Sequence, residues 1–133
     1  MNNHMEYVSL SPNVGVTDVN ETVKFYTEIL GFNLVLSNPE SGKLEWAMVA
    51  NGNAVIMFQE IESLRNEYPA LKERAPMGTL TFYVKIKNMK PLYEKLKDTA
   101  FIANGIHQTF YGADEFAVFD NNGYILTITE DKE

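Results

Sequence analysis

Hydrophobic and polar positions follow a strand-like period and then a helix-like period, and this succession occurs twice along the chain. Residues 13–18, NVGVTD, alternate apolar side chains with small or polar ones, as in a half-buried strand. The next segment carries apolar side chains at helical spacing, at Val19, Val23, Tyr26 and Leu30. The second succession begins with YVKIKN at residue 83 and continues with a helical stripe at Met89, Leu92, Tyr93 and Leu96. Val14 aligns with Val84, an offset of 70 residues.

Helix boundary signals are present in both copies. Asp18 can cap the first helix, and Glu21 three residues later completes a capping-box pattern. Gly31 lies where a helix ends on a residue that tolerates positive φ. In the second copy Asn88 is the predicted cap, and Pro91 falls in the first helical turn, where a missing N–H costs little.

Three further strand-like runs follow each helix, at residues 33–37, 44–50 and 54–59 and then at about 100–110, 115–120 and 124–130. Asn51-Gly52 predicts a two-residue hairpin turn. The order βαβββ therefore occurs twice in a single α+β domain, 1–133. Module 1 covers about residues 5–60 and module 2 about 79–131. The charged linker, about 61–78, is predicted to contain a short helix broken near Pro69.

A four-stranded sheet with a helix on one face leaves its other face uncovered. Two such units can turn their open faces toward each other, so we expect a half-barrel with a cleft inside. Open sheet edges also favour a symmetric partner, and the sequence therefore predicts a homodimer.

Composition and charge narrow the classes of function. The net charge is −7, from 18 acidic and 11 basic residues, so nucleic acid is an unfavourable partner. The 45% hydrophobic content includes no apolar run near the roughly 20 residues of a membrane span, and the N-terminus lacks a secretory pattern. No cysteine is present, which excludes disulfides and thiolate sites and fits a cytoplasmic protein.

Two longer motifs carry a resemblance to a known family. The stretch VTDVNETVKFYTEILGF (16–32) and the stretch ADEFAVFDNNGYILTITE (113–130) resemble the helix and the terminal hairpin of the vicinal oxygen chelate superfamily. That superfamily includes glyoxalases, bleomycin-resistance proteins and dioxygenases. The match spans almost the whole chain and implies the fold, but neither motif identifies a substrate.

The resemblance also implies four positions at which the family's metal enzymes hold their ligands: Ser11, Met57, Thr81 and Thr127. None is a usual ligand, because divalent transition metals prefer imidazole or carboxylate donors where thiolates are absent. Glu60 and Glu130 lie three residues beyond two of these positions, so strand alternation directs them to the opposite face. We therefore expect no metal, no other cofactor and no catalytic residue. His107 is interpreted as an edge histidine rather than a base.

Strand alternation predicts which side chains line the cleft. If Asn51-Gly52 forms the turn, Trp46 pairs with Met57 and Met48 with Val55. If residues 121–123 form a three-residue loop, Phe119, Ala117 and Glu115 lie opposite Ile125, Thr127 and Thr129. The predicted ligand-binding residues are Ser11, Asn13, Trp46, Met48, Met57, Thr81, Tyr83, Glu115, Phe119 and Thr127.

This mixture of aromatic, thioether, hydroxyl and carboxylate groups suits a planar or amphipathic organic ligand. Four residues also have a plainer interpretation: Trp46 as a core or interface residue, Met57 as a gap filler, Glu115 as a rim residue and Tyr111 as a loop anchor rather than a lid. Three classes of function stay open. The first is a metal-independent binding protein that sequesters an antibiotic or metabolite. The second is a lyase, isomerase or dioxygenase-type enzyme with an unconventional site, and the third is an accessory or regulatory module.

Overall fold

The structure, a computed structural model, describes residues 5–73, 80–109 and 111–132. In module 1 the elements are β1 (Asn13–Val16), α1 (Val19–Glu28), β2 (Asn33–Asn38), β3 (Trp46–Asn51) and β4 (Ala54–Glu60). A second helix, α2 (Ile61–Glu67), and a 3-10 turn (Pro69–Leu71) follow. The chain therefore breaks its helix next to Pro69, as the sequence predicts.

Module 2 repeats the same order of elements. They are β5 (Thr81–Ile86), α3 (Lys90–Leu96), β6 (Ile102–Gln108), β7 (Asp114–Phe119) and β8 (Ile125–Glu130). Residue 110, at the end of the predicted strand 100–110, lies outside the described residues. Among the described residues, no helix combines the length and the apolar character needed to cross a membrane.

Each module forms a four-stranded mixed sheet, with strand order β1-β4-β3-β2 in module 1 and β5-β8-β7-β6 in module 2. The first and fourth strands of each module run parallel, and the other neighbours are antiparallel. The predicted α+β fold of two tandem βαβββ modules is confirmed. The strands form two separate sheets and not one closed barrel.

Local sequence accounts for helix α1. The Asp18 carboxylate accepts a hydrogen bond from the backbone N–H of Glu21 at 3.0 Å, which satisfies one of the unpaired donors of the first turn. Gly31 follows the helix with φ of 78°, a conformation that glycine adopts without steric cost. Buried Val19, Thr22, Phe25 and Tyr26 form the face that packs against the sheet.

The prediction that Asn88 caps helix α3 is wrong. Asn88 has φ of 63°, and the N-cap residue Met89 makes no side-chain capping bond. Instead the Glu130 carboxylate accepts from the backbone N–H groups of Asn88 and Met89, at 2.7 and 2.9 Å. A residue 41 positions away supplies the negative charge favoured near a helix N-terminus, and local sequence cannot reveal such an acceptor. The contact also confirms that Glu130 points to the helix side.

The predicted turn at Asn51-Gly52 is displaced by one residue. Asn51 pairs with Ala54, so Gly52 and Asn53 form the turn. Trp46 consequently pairs with Gln59, and Met48 pairs with Met57. The predicted pairing partners of Trp46 and Met48 were therefore wrong. Each true partner lies two residues further along β4, and a shift of two residues leaves the same side chains on the same face of the sheet.

One hydrophobic core joins the helix-covered sides of both modules. The Phe25 and Phe101 rings meet edge to face, 5.0 Å apart. The Tyr26 hydroxyl donates to Asp120 at 2.8 Å. Burial is the main cause that raises the pKa of both side chains. This joint holds the two modules together and leaves their other sheet faces pointing away from the core.

Candidate functional site

The open face of each sheet is identified by alternation with buried neighbours. In β3, Ala47 and Val49 are fully buried, whereas Trp46 and Met48 are partly exposed on the other face. In β8, Leu126 and Ile128 are buried under the helix, and Thr127 lies on the open side. The face assignments predicted for Trp46 and Thr127 are therefore correct.

Glu115 forms the most specific polar arrangement on the module 2 face. Its side chain is only 5% exposed. The hydroxyls of Tyr83 and Tyr111 each donate to Glu115 Oε2 at 2.7 Å. These distances are typical of charge-assisted hydrogen bonds to a carboxylate. The three side chains, referred to below as the carboxylate cluster, unite β5, β7 and the loop before β7.

Hydrogen bonding sets the ionisation of the carboxylate cluster. The Tyr111 hydroxyl, then the Tyr83 hydroxyl, lower the pKa of Glu115 against the opposing effect of desolvation. The same bond to Glu115 raises the pKa of Tyr111 to about 12. The cluster therefore holds the Glu115 carboxylate as an anion and the Tyr111 phenol in its neutral form at neutral pH.

The predicted register around Glu115 is confirmed. Glu115 pairs with Thr129, Ala117 with Thr127, and Phe119 with Ile125. Phe119 is 38% exposed and Tyr83 is 59% exposed, so two aromatic rings border the module 2 face. Thr81 is also exposed, at the start of β5.

The module 1 face is organised by an amide network. Gln59 is buried; its Oε1 accepts from Asn13 at 2.8 Å, and its Nε2 donates to Ser63 and Glu67 at 3.0 Å. Helix α2 thereby closes one end of the face. A cavity of about 370 Å³ remains, lined by Asn13, Asn38, Glu45, Trp46, Gln59, Ser63 and Glu67.

The residues present do not fit a divalent metal at the four family positions. Met57 pairs with Asn13 and Thr127 pairs with Tyr83, while Ser11 and Thr81 lie two residues before those partners. Within the described ranges, no three His, Cys, Asp or Glu side chains come together as a metal site. Hydroxyls and a thioether are poor donors for a hard ion, so no chemical step is derived through a metal.

The ten predicted site residues form two groups. Ser11, Asn13, Trp46, Met48 and Met57 belong to module 1, and Thr81, Tyr83, Glu115, Phe119 and Thr127 belong to module 2. Among the contacts described for these ten residues, no hydrogen bond or ring contact links one group to the other. The module 1 group and the module 2 group are referred to below as the two half-sites.

Sequence reasoning missed two participants in the module 2 half-site. Tyr111 was interpreted as a loop anchor, yet its hydroxyl contacts Glu115. His107 is exposed on the edge strand β6, as expected, but pairs across from Glu115 and so shares its face. The spacing of four residues between Tyr111 and Glu115 was the only signal for the first. Register irregularities in β6 concealed the second.

The comparison with protein families decides the relationship. The model of the Glyoxalase/Bleomycin resistance protein/Dioxygenase superfamily matches residues 3–128. The chain belongs to this superfamily. A search of curated protein sequences gave no significant match.

Several solved structures share the fold. TioX from Micromonospora sp. ML1 superposes with a TM-score of 0.71 and 17% identity, covering 93% of this chain and 98% of TioX. A glyoxalase-related enzyme from Fulvimarina pelagi superposes with a TM-score of 0.71 and 18% identity, covering 92% of this chain and 88% of that enzyme. The hypothetical protein SA1046 from S. aureus superposes with a TM-score of 0.74 and 15% identity, covering 96% of each chain. Identities this low establish shared architecture only.

Proposed function

We propose that this member of the superfamily is a metal-independent cytoplasmic binding protein that holds a planar, cationic small molecule on its open sheet faces. The observation that carries the proposal is the nearly buried Glu115 carboxylate with two tyrosine hydroxyls on one of its oxygens. A fixed anion beside exposed aromatic rings combines ionic and cation–π attraction for one ligand.

The ionisation of Glu115 favours binding over proton transfer. The enzyme alternative, a lyase, isomerase or dioxygenase-type activity, would need a general base with a pKa near the working pH. Two donated hydroxyls instead lower the pKa of Glu115, which makes it a weak base and a persistent anion.

Ligand chemistry is tested with tryptamine, a planar amine, against tryptophol, which has the same ring system without the charge. We expect the full chain to bind tryptamine more tightly in calorimetric titration. Glu115→Gln should weaken tryptamine binding about tenfold, because hydrogen bonds to charged groups contribute ~1.5–3 kcal/mol and 1.4 kcal/mol is tenfold. Glu94→Gln, which alters an exposed carboxylate on α3, is the matched control. Equal binding of the two compounds, or no effect of Glu115→Gln, would overturn the proposal.

Metal independence has its own measurement. Elemental analysis of the purified chain should find no stoichiometric divalent metal, given the hydroxyl and thioether side chains at the four family positions. About one Zn, Ni, Fe or Mn per chain, lost together with tryptamine binding on substitution of the open-face residues, would contradict the proposal.

We also propose a homodimer that brings a module 1 half-site against a module 2 half-site of the second copy. Exposed apolar side chains support it: residues before β1 include Tyr7 and Val8, 86% and 91% exposed, and β2 exposes Leu34, Val35 and Leu36. Burial of such surface favours association. Sedimentation at micromolar concentration that detects only a 15.1 kDa species would contradict the dimer.

In such a dimer Trp46 is the proposed stacking platform of the shared site. Loss of an aromatic anchor from a desolvated interface commonly costs ~2 kcal/mol, about thirtyfold in affinity. Trp46→Ala should therefore weaken tryptamine binding by that factor while leaving the fold intact, since Trp46 lies outside the helix-covered core. Unchanged binding would remove Trp46 from the site.

A further inference from the structure

A groove between the two modules lies on the helix side of the molecule, away from both half-sites. Its cavity volume is about 850 Å³, within the range of ~300–1,000 Å³ found for small-ligand sites. The C-terminal end of α1 and the β3–β4 hairpin form one wall, and β5 with α3 forms the other. Leu126 and Ile128 of β8 also line it.

The interior of the groove is apolar. Phe32, Leu126 and Ile128 are buried members of the core that reach its surface. Ile29, Leu30, Val84, Ile86 and Leu92 also line the groove, and they are partly buried hydrophobic residues packed against that core. An aliphatic or aryl body placed here would remove apolar surface from water on several sides, at roughly 25 cal/mol per Å².

The charge around this apolar interior is opposite to that of the whole protein. Lys87 and Lys95 line the groove, against Glu28 as its one lining carboxylate among the described residues. The chain as a whole carries −7. Two of its 11 basic residues therefore lie beside one apolar groove, and this pairing favours a ligand with an apolar body and an anionic head.

Two further features suit an anionic head. The Lys95 ammonium donates to the α1 carbonyls of Glu28 and Ile29 at 3.1 and 3.2 Å, which holds this charge at the groove wall and ties the modules together. Among the described residues β5 pairs with β8 alone, and its C-terminal part, residues 84–86, lines the groove. Backbone N–H groups are strong donors to carboxylates.

We propose that this groove binds a small amphipathic carboxylate, with its chain on the apolar floor and its head near Lys87 and Lys95. The site is separate from the carboxylate cluster, which selects the opposite charge. The proposal therefore stands independently of the proposed function.

The test titrates ¹⁵N-labelled full-length protein with decanoate below its micelle concentration, and with decanol and butyrate. Decanoate should perturb the amide signals of residues 51–54 and 84–88, while decanol and butyrate bind much more weakly because each lacks one half of the recognition. Perturbation confined to the open faces, or equal binding of decanol and decanoate, would overturn the proposal.

Surface variants locate the charge. Lys87 is exposed and in no ion pair among the described residues, so its substitution should not disturb the fold. Lys87→Gln should weaken decanoate about threefold and Lys87→Glu about tenfold or more, as expected for a partly solvated charge contact at 1.4 kcal/mol per decade. Lys72→Gln and Lys72→Glu, changes at an exposed lysine outside the groove, should have no effect. Equal losses at Lys72 and Lys87 would show non-specific attraction and reject the site.

Glu115→Gln separates the two proposals. It should leave decanoate binding unchanged while weakening tryptamine binding. If Glu115→Gln lost decanoate binding while keeping native stability, decanoate would have to bind at the open face and not in the groove.

Discussion

The open faces of the two modules have the same strand pairing and different chemistry. In module 1 Trp46 pairs with Gln59, and in module 2 Glu115 pairs with Thr129. Gln59 and Thr129 are equivalent, because each lies two residues after a family metal position, Met57 or Thr127. Trp46 and Glu115 therefore occupy equivalent positions in the two modules, and the residue there is an aromatic ring in module 1 and an anion in module 2.

The next strand extends this contrast. Gln59 pairs with Gly15 and Thr129 pairs with Lys85. A Cβ atom on Gly15 would lie 3.2 Å from Leu64 Cδ2, so the absent side chain allows α2 to pack on this end of the face. Lys85 at the matching position is exposed, and no counterpart of α2 is described in module 2.

The contrast shows how a duplicated module can diverge. The helix sides of both sheets merge into one core and must keep apolar volume. The open faces carry no such constraint, so one acquired an amide network under a helix and the other a charged cluster. One fold can therefore present different chemistry on the open face of each module.

The largest predicted effect is a difference in the free energy of unfolding between substitutions on the two sides of strand β4. Phe58 is fully buried on the helix side of β4, and Met57 is its open-face neighbour. Phe58→Ala should lower the free energy of unfolding by about 3–5 kcal/mol, through lost burial and a cavity. Met57→Ala should cost much less, and chemical denaturation measures both. Equal losses would mean that the open face is part of the core.

The joint between modules should give the next largest effect. Tyr26→Phe removes the donor to Asp120 and should cost about 1–3 kcal/mol, because a buried acceptor loses its partner. Burial raises the pKa of Asp120, so protonation of this carboxyl favours the folded state as pH falls through its folded pKa. The loss in Tyr26→Phe should therefore shrink on acidification, and a loss that grows would contradict this account.

A titration tests whether the module 2 face carries a carboxylate anion. In Glu115→Gln the pKa of Tyr111 should fall from about 12 toward its ordinary value, because the anionic acceptor that favours the neutral phenol becomes an uncharged amide oxygen. Tyrosinate absorbance measures this, and Tyr111→Phe assigns the signal. An unchanged titration curve would show that Tyr111 does not interact with Glu115 in solution.

The same variant has a defined pH dependence of stability. The pKa of Glu115 is lowered in the folded state, so its contribution is present above its ordinary carboxyl pKa and disappears as pH falls through the folded value. Wild type and Glu115→Gln should differ in denaturation midpoint at neutral pH and converge in acid. Divergence in acid would reverse the assigned sign.

The smallest effect should come from Gly15. In Gly15→Ala the added Cβ crowds a flexible leucine end, while alanine relieves the ~0.5–1 kcal/mol that glycine costs in a strand. The free energy of unfolding should change by less than about 0.5 kcal/mol. Lys85→Ala at the matching position is the control. A loss above 2 kcal/mol in Gly15→Ala alone would show that α2 packs more rigidly than this contrast assumes.

The sequence by itself determined the duplicated βαβββ order, the cap at Asp18, the side of the sheet on which Trp46 lies and the pairing of Glu115 with Thr129. Each depends on short-range periodicity, or on a turn whose length is visible between two strands. The displaced turn at Gly52 shows the limit of this approach. A shift of two residues in strand pairing keeps each side chain on its face of the sheet, but it changes the residue that lies across from it.

Only the tertiary structure decided which distant groups meet. Glu130 caps α3 in place of Asn88, and Tyr111 reaches Glu115 from a loop. These contacts depend on how strands and loops of high sequence separation pack around the shared core. No local pattern of hydrophobicity encodes that arrangement. The helix, loop and strand that carry these residues would have the same local sequence pattern whichever distant residues they contacted.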